Sequence, residues 1–389
     1  MNKEICKVTA KVLFFIVLYA FVMIPLSAKT GQITAASAGP LQKEINQFAF
    51  GQLLEKQQPT TQPSPLEPPA SQQPVSPQVT LALVGDILLD SWVGTEMLKQ
   101  GVDYPWAKVK PILSAADLAI GNLESAVGVG GSPLKGKSFT FRARPETLQG
   151  VVNAGIDVVS LANNHVLDYG TTALEETLVN LDQYGIARTG AGRNIYEALT
   201  PASKEVNGLK IGVLSFSRVV PYGWWVAGHE QPGVASGWDE KTLLNTIKQW
   251  DSQVDLLLVA IHWGEELADY PAGDQVKLAR TMIDSGADII LGHHSHCLQG
   301  IEVYHDKPIL YSMGNFVFTS SSLKARTGAI ALVTMDKNGI KGLQMIPTRL
   351  ERGQPQVLEG QSKSAELVRL FNLSKPFGTQ IDSEGKYYR

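Results

Sequence analysis

Residues 286–296 read Gly-Ala-Asp-Ile-Ile-Leu-Gly-His-His-Ser-His, an acidic residue, a short apolar run and then three histidines in four positions. The whole chain of 389 residues contains only seven histidines, so nearly half of them stand here. The run 289–291 is aliphatic and β-branched, which suits a strand buried on both faces. A related phrase occurs at three other places: SAADLAIGNLE (114–124), NAGIDVVSLANNH (153–165) and DSQVDLLLVAIHWG (251–264). In each, an Asp opens a short apolar run. Seven residues after that Asp stand Glu124, Asn164, His262 and, here, Ser295 between His294 and His296. The copies are unevenly spaced, so they are one local solution used repeatedly and not a solenoid repeat.

Working outward, VTLALVGD (79–86) is a further apolar run, ending at Asp86. Helical patterns precede the strands at 172–185, 240–250 and 274–286. Helices alternating with uninterrupted apolar strands predict an α/β architecture with buried strands. In such sheets, sites lie beyond the carboxyl ends of the strands. Asp86, Glu124, Asn164, His165, His262, His294 and His296 are therefore expected on one edge. A lone polar residue at a strand end is ordinarily a cap, but ligand-type side chains at five strand ends together point to a metal site.

The set is carboxylates, an amide and imidazoles. The only thiols are Cys6 and Cys297, which excludes a cysteine-type structural zinc site. Mixed oxygen and nitrogen ligands suit Mn, Fe, Zn or Co. Six or seven ligands exceed the needs of one ion, and two divalent metal ions bridged by a carboxylate would use them.

The segments GDILL (85–89), GNLE (121–124), LANNHVLDYG (161–170), HWGEE (262–266), GHHSH (292–296) and YSMGNFVF (311–318) occur in an order that resembles the CapA family. That family is associated with poly-γ-glutamate capsule synthesis and is related to the calcineurin-like metallophosphoesterases. The resemblance covers about residues 79–335. It implies a four-layer α/β/β/α sandwich of metallophosphoesterase type, a dinuclear-type centre and a domain held outside the cytoplasm at the membrane. By motif, it implies Asp86 and His296 on a first metal, Glu124 as the bridge, and Asn164, His262 and His294 on a second. It gives His165 the role of meeting the substrate, with Asp168 either orienting that imidazole or capping the following helix. Asn163 competes with Asn164, and His293 stands beside the ligands. Two departures matter. Leu88 occupies the histidine position of the superfamily's Asp-x-His, and Glu124 stands where an Asp is usual.

Arg142, in the alternating stretch SFTFRARPE, is expected to receive an anionic group, and Asn315 to reach the site. Asn163 and His293 complete the expected substrate-binding set. Trp224 and Trp225 lie in a Gly- and Trp-rich insertion and are expected to cover the core. GAIALVTMDKNGIKGLQMIPTRL reads as a hairpin turning at Asn338-Gly339 and completing the second sheet.

Lys3, Lys7 and Lys11 precede an apolar run from Val12 to Ile24. A basic flank before an apolar segment is the export pattern. Residues 1–28 are therefore expected to be a signal anchor or signal peptide. Residues 29–78 form a Pro/Gln-rich linker, with seven prolines between Pro59 and Pro77, a composition that builds no core. A CapA-like domain is expected over 79–350 and a C-terminal extension over 351–389. Charged residues are 18% of the chain and the net charge is −3, which gives no electrostatic case for nucleic acid. The expected partners are a capsule polymer or anionic surface precursor, membrane-bound polymer synthesis proteins, and the membrane through the N-terminal segment. Two functions follow: a metal-dependent hydrolase or transferase on an anionic cell-surface polymer, or a non-catalytic assembly or export subunit.

Overall fold

The computed structural model describes residues 76–388. The expected N-terminal anchor and nearly all of the Pro-rich linker lie outside the described residues.

The recurring aspartates have a structural cause. Asp117, Asp157, Asp255 and Asp288 each stand one residue before a strand: β2 (Leu118–Leu123), β3 (Val158–Ser160), β7 (Leu256–His262) and β8 (Ile289–His293). Each carboxylate accepts a backbone N–H from the neighbouring strand, from Thr80, Ala119, Lys210 and Leu257, at 2.7–2.8 Å. Each Asp also donates its own N–H to the carbonyl of that same neighbour. The result is a two-point clasp at the entry of each strand, and it sets the register of the pair.

Two sheets result. The first runs β14-β13-β12-β1-β2-β3-β4, with β11 also pairing β1. Its members are β1 (Val79–Ile87), β2, β3, β4 (Ala187–Thr189), β11 (Asn315–Val317), β12 (Thr327–Asp336), β13 (Gly339–Glu351) and β14 (Gln354–Val357). The second runs β9-β10-β8-β7-β6-β5, using β5 (Ala202–Val206), β6 (Leu209–Ser217), β7, β8, β9 (Ile301–Tyr304) and β10 (Lys307–Leu310). Pairs β1/β2, β2/β3, β6/β7 and β7/β8 are parallel.

Alternation along the strands assigns the layers. Leu81 and Leu83 of β1, Ile120 of β2, Leu258 of β7 and Leu291 of β8 share one apolar cluster between the sheets. Their neighbours face outward. Ala82, Val84 and Ala119 pack on helices α1 (Ser91–Gln100), α2 (Leu148–Ala154) and α3 (Gly170–Gln183). Leu257, Val259 and Ile290 pack on α4 (Glu240–Asp251) and α5 (Gly273–Asp284). The order is helix, sheet, sheet, helix. Each buried Leu or Ile contributes about 1.5–3 kcal/mol, against about 1 kcal/mol for a clasp hydrogen bond. The core therefore sets the stability and the clasps set the alignment.

One expectation needs correction. The hairpin turns at Asn338-Gly339, with Gly339 at φ +116°, but β12 pairs antiparallel with β1. It extends the first sheet and not the second, because the apolar positions 329, 331 and 333 lie against those of β1. Residues from 351 onward pack on the body. β14 pairs with β13, and α6 (Gly360–Ser374) buries Leu367 and Leu370 in the cluster between the sheets. Ser374 and Thr379 accept the backbone N–H groups of Ile301 and Val303. No described helix is long and apolar enough to cross a membrane.

Candidate metal centre

The carboxyl ends of the parallel strands meet on one edge. β1 delivers Asp86 next to Gly85, where a Cβ would lie 1.9 Å from the Gly314 carbonyl oxygen. Glycine is needed there because the 313–315 turn crosses β1 at contact distance, and Asp86 N–H donates to that same carbonyl at 3.0 Å. Glu124 follows β2, Asn163 to His165 follow β3, His262 ends β7, and His293 ends β8 with His294 and His296 just beyond. His294 and His296 hold φ of +89° and +53°. Left-handed backbone at non-glycine residues costs of order 1 kcal/mol or more and collects at functional sites.

Two ligand groups share one residue. Asp86, Glu124 and His296 each offer a donor atom, all within 4.8 Å of one another, and so do Glu124, His262 and His294. Glu124 is fully buried, yet neither of its oxygens has a hydrogen-bond partner among the described residues. Asp86 Oδ2, which faces His296 Nδ1 at 3.4 Å, and His294 Nδ1 are also buried and accept or donate no hydrogen bond among them. Leaving a buried polar atom unpaired costs about 1–3 kcal/mol, more when it is charged. Four such atoms around one point are what a bound cation would satisfy. The residues present therefore fit divalent-metal binding, with Glu124 common to both groups. Asn164 Oδ1 lies 2.9 Å from His262 Nε2, which adds an amide oxygen to the second group.

The electrostatics match that reading. Burial raises Glu124 well above the usual carboxylate range, and the charge of Asp86 pushes the same way. Burial opposes ionisation of Asp86 too, but His293 and His296 outweigh it and hold Asp86 well below its ordinary value. Burial and the neighbouring histidines push His262 down and take His294 to about 4, so both are neutral donors at neutral pH. Burial opposes charge on His296 as well, but Glu124 and Asp86 prevail and raise it to about 10.

Around this centre, the other expected residues divide. His165 Nδ1 lies 2.6 Å from Asp168 Oδ2. Asp168 also accepts from Phe141 N–H and from Lys137, so it orients the imidazole; Tyr169 holds the helix-cap position. Asn315 Oδ1 accepts from His296 Nδ1 at 2.8 Å, so Asn315 reaches the site through His296. His293 Nδ1 sits 3.1 Å from Asp86 Oδ1, with the ring 1% exposed, so it too faces the centre from behind. Asn163 is fully buried, and its amide is saturated by Asn122, Leu123, His165 and Val166. That removes it from substrate contact and leaves position 164 as the one beside His262. Arg142 Nη1 donates to the Gly130 and Gly131 carbonyls, and the guanidinium lies over the Tyr169 ring. Trp225 is fully buried while Trp224 is 42% exposed.

Three residues escaped the sequence reading. Asn122 Nδ2 donates to Asp86 Oδ1 at 2.9 Å and tethers the first carboxylate. Lys137 bonds the Asn164 carbonyl and Asp168, with Nζ 3.2 Å from His165 Nδ1. It sits in a Gly-, Ser- and Lys-rich loop without periodicity, so no pattern singled it out. Glu266 lies near His294 and His296 and was hidden as one of two adjacent glutamates in HWGEE.

The geometry can now be set beside known proteins. The family model described as "Bacterial capsule synthesis protein PGA_cap" matches residues 80–320, the span that carries every ligand above. The chain is 33% identical to the capsule biosynthesis protein CapA of Bacillus anthracis, over 72% of this chain and 69% of that one. It is 30% identical to the PGA biosynthesis protein CapA of Bacillus subtilis (strain 168), over 79% of this chain and 81% of that one. A solved 5'-nucleotidase from Candida albicans SC5314 shares 10% identity over 71% of this chain and 54% of that one, with a TM-score of 0.40. With the matched span holding the whole ligand set and the relatives covered over most of their length, this chain belongs to the bacterial capsule synthesis protein family PGA_cap.

Proposed function

We propose that this chain acts in capsule or poly-γ-glutamate synthesis as a metal-dependent hydrolase or transferase on an anionic cell-surface polymer or its precursor, with a centre of metallophosphoesterase type. The observation that supports this most is Glu124, buried, without hydrogen-bond partners and common to both ligand groups. Asp86 and His296 would hold one divalent ion, and Asn164, His262 and His294 the other. When bound, such a pair supplies Lewis acidity and an activated nucleophile.

The chain's own residues supply the rest. Burial lowers His165 below its ordinary value, against the pull of Asp168, so the imidazole is neutral at neutral pH. Asp168 takes its Nδ1–H, which fixes the tautomer and leaves Nε2 with the lone pair. That nitrogen is suited to accepting a proton from, or hydrogen-bonding, a group at the edge of the centre. Lys137, beside both residues, places a positive charge where an anionic substrate group would lie.

One observation favours a second reading, a polymer-binding assembly subunit without turnover. Leu88 is a buried apolar side chain two residues after Asp86, where the related hydrolases carry a histidine. We also place the folded body outside the cytoplasm, tethered by residues 1–28.

One experiment in cells addresses all of this. His165→Ala should keep bound metal and lose most polymer production, because general acid–base help is worth roughly 10²–10⁴-fold in rate. Unchanged production, with deletion of the body abolishing it, would favour the assembly subunit. In the same cells, external protease should release the body, and full-length chain in the cytosol would contradict the placement.

A further inference from the structure

In the Asp86–Glu124–His296 group the two carboxylates are buried and His296 is partly exposed. Position 88 cannot add a donor. The Leu88 side chain is 1% exposed, and its backbone N–H is held by the Val317 carbonyl at 2.7 Å. A three-donor group that includes a bridge is thin for a divalent ion with oxygen and nitrogen ligands.

On the solvent side stands Glu266. It offers a carboxylate oxygen that lies, with donor atoms of His294 and His296, within a 4.8 Å group. It is exposed and makes no hydrogen bond or ion pair to any described residue, so its carboxylate is uncommitted. Its position is nonetheless built. Trp263 N–H donates to the His293 carbonyl at 3.3 Å, and Leu267 N–H to the Ser295 carbonyl at 2.8 Å. The Trp263 indole N–H donates to the Tyr311 carbonyl at 3.1 Å. The loop carrying Glu266 is thus fastened on both sides of that residue to the loop carrying the two histidines. Leu267 holds φ +60°, a costly conformation for a leucine, and it turns the chain immediately after Glu266. Glu265, its neighbour, belongs to no such group.

We propose that Glu266 is a metal ligand on the solvent side of the His294–His296 loop, supplying to the centre the donor that Leu88 does not. This rests on the metal-centre reading above and deepens it. The carboxylate would be recruited from a loop, in place of an imidazole from the first strand.

The test is calorimetric titration of the full chain with Mn²⁺. Loss of an outer hydrogen-bonding partner alone typically costs roughly 10–100-fold in metal affinity, so Glu266→Gln should weaken at least one binding step by about tenfold or more. Glu265→Gln should leave both steps unchanged. Adding Leu88→His to Glu266→Gln should recover part of the loss. Wild-type affinity in Glu266→Gln would overturn the proposal while the metal-centre reading stands. No Mn²⁺ bound by the wild-type chain would overturn both. Should the double variant fail to fold, the comparison of Glu266→Gln with Glu265→Gln still decides.

Discussion

The proton on His296 is one that a bound cation would have to displace. His296 lies between Asp86 and Glu124, and its pKa stands at about 10 against an ordinary 6.5. At neutral pH it is therefore protonated when no cation is bound. Because its folded value is raised, its contribution to stability is full below about 6.5 and is lost as pH rises through about 10. A cation at Asp86 and Glu124 must displace that proton. Metal affinity should then increase with pH between 6.5 and 10, by up to about tenfold per unit for one proton. Titrations at pH 7.5 in two buffers of different ionisation heat should show release of about one proton or more. Release of none would contradict the placement of His296. His262 and His294, pushed the other way, are already neutral. At this scale the sequence was legible wherever a ligand ended an apolar run. It did not separate Asn163 from Asn164, because that choice is made by the turn after β3, which points one amide into the backbone and the other at His262.

Among the elements, the Asp-led phrase both revealed and built the fold. Each Asp clasps the neighbouring strand, and three to seven residues later each strand ends on the same edge, with the residue seven after the Asp at or just beyond that end, so recurrence in sequence became convergence in space. Asp157→Ala removes the acceptor of Ala119 N–H. It should cost about 1–2 kcal/mol of stability and leave metal stoichiometry unchanged, as checked by denaturant unfolding and metal analysis of the same preparation. A loss of metal as large as that from a ligand substitution would show that the clasp holds the site and not just the strand. The hairpin at Asn338-Gly339 was legible as a hairpin, but its sheet was not. An alternating strand states which of its faces is apolar; it does not name the sheet it will join. Lys137 and Glu266 lay beyond reach for a related reason. Both sit in loops, where no period carries information and position depends on backbone hydrogen bonds to distant turns.

Taken whole, the molecule places its costs and its function on one edge. Apolar clusters lie between the sheets and outside each of them, and α6 adds Leu367 and Leu370 to the one between. Against that stable body, the edge holds buried carboxylate oxygens without hydrogen bonds among the described residues, two left-handed histidines and a charged imidazole. In the function proposed above, two cations sharing Glu124 would compensate these costs. The most direct measurement is metal content per chain after saturation and removal of free metal, compared between wild type and Glu124→Gln. Two ions in the wild-type chain and fewer than one in Glu124→Gln, with the variant still folded, is the predicted result. No bound metal in the wild type, or two ions retained by Glu124→Gln, would contradict it.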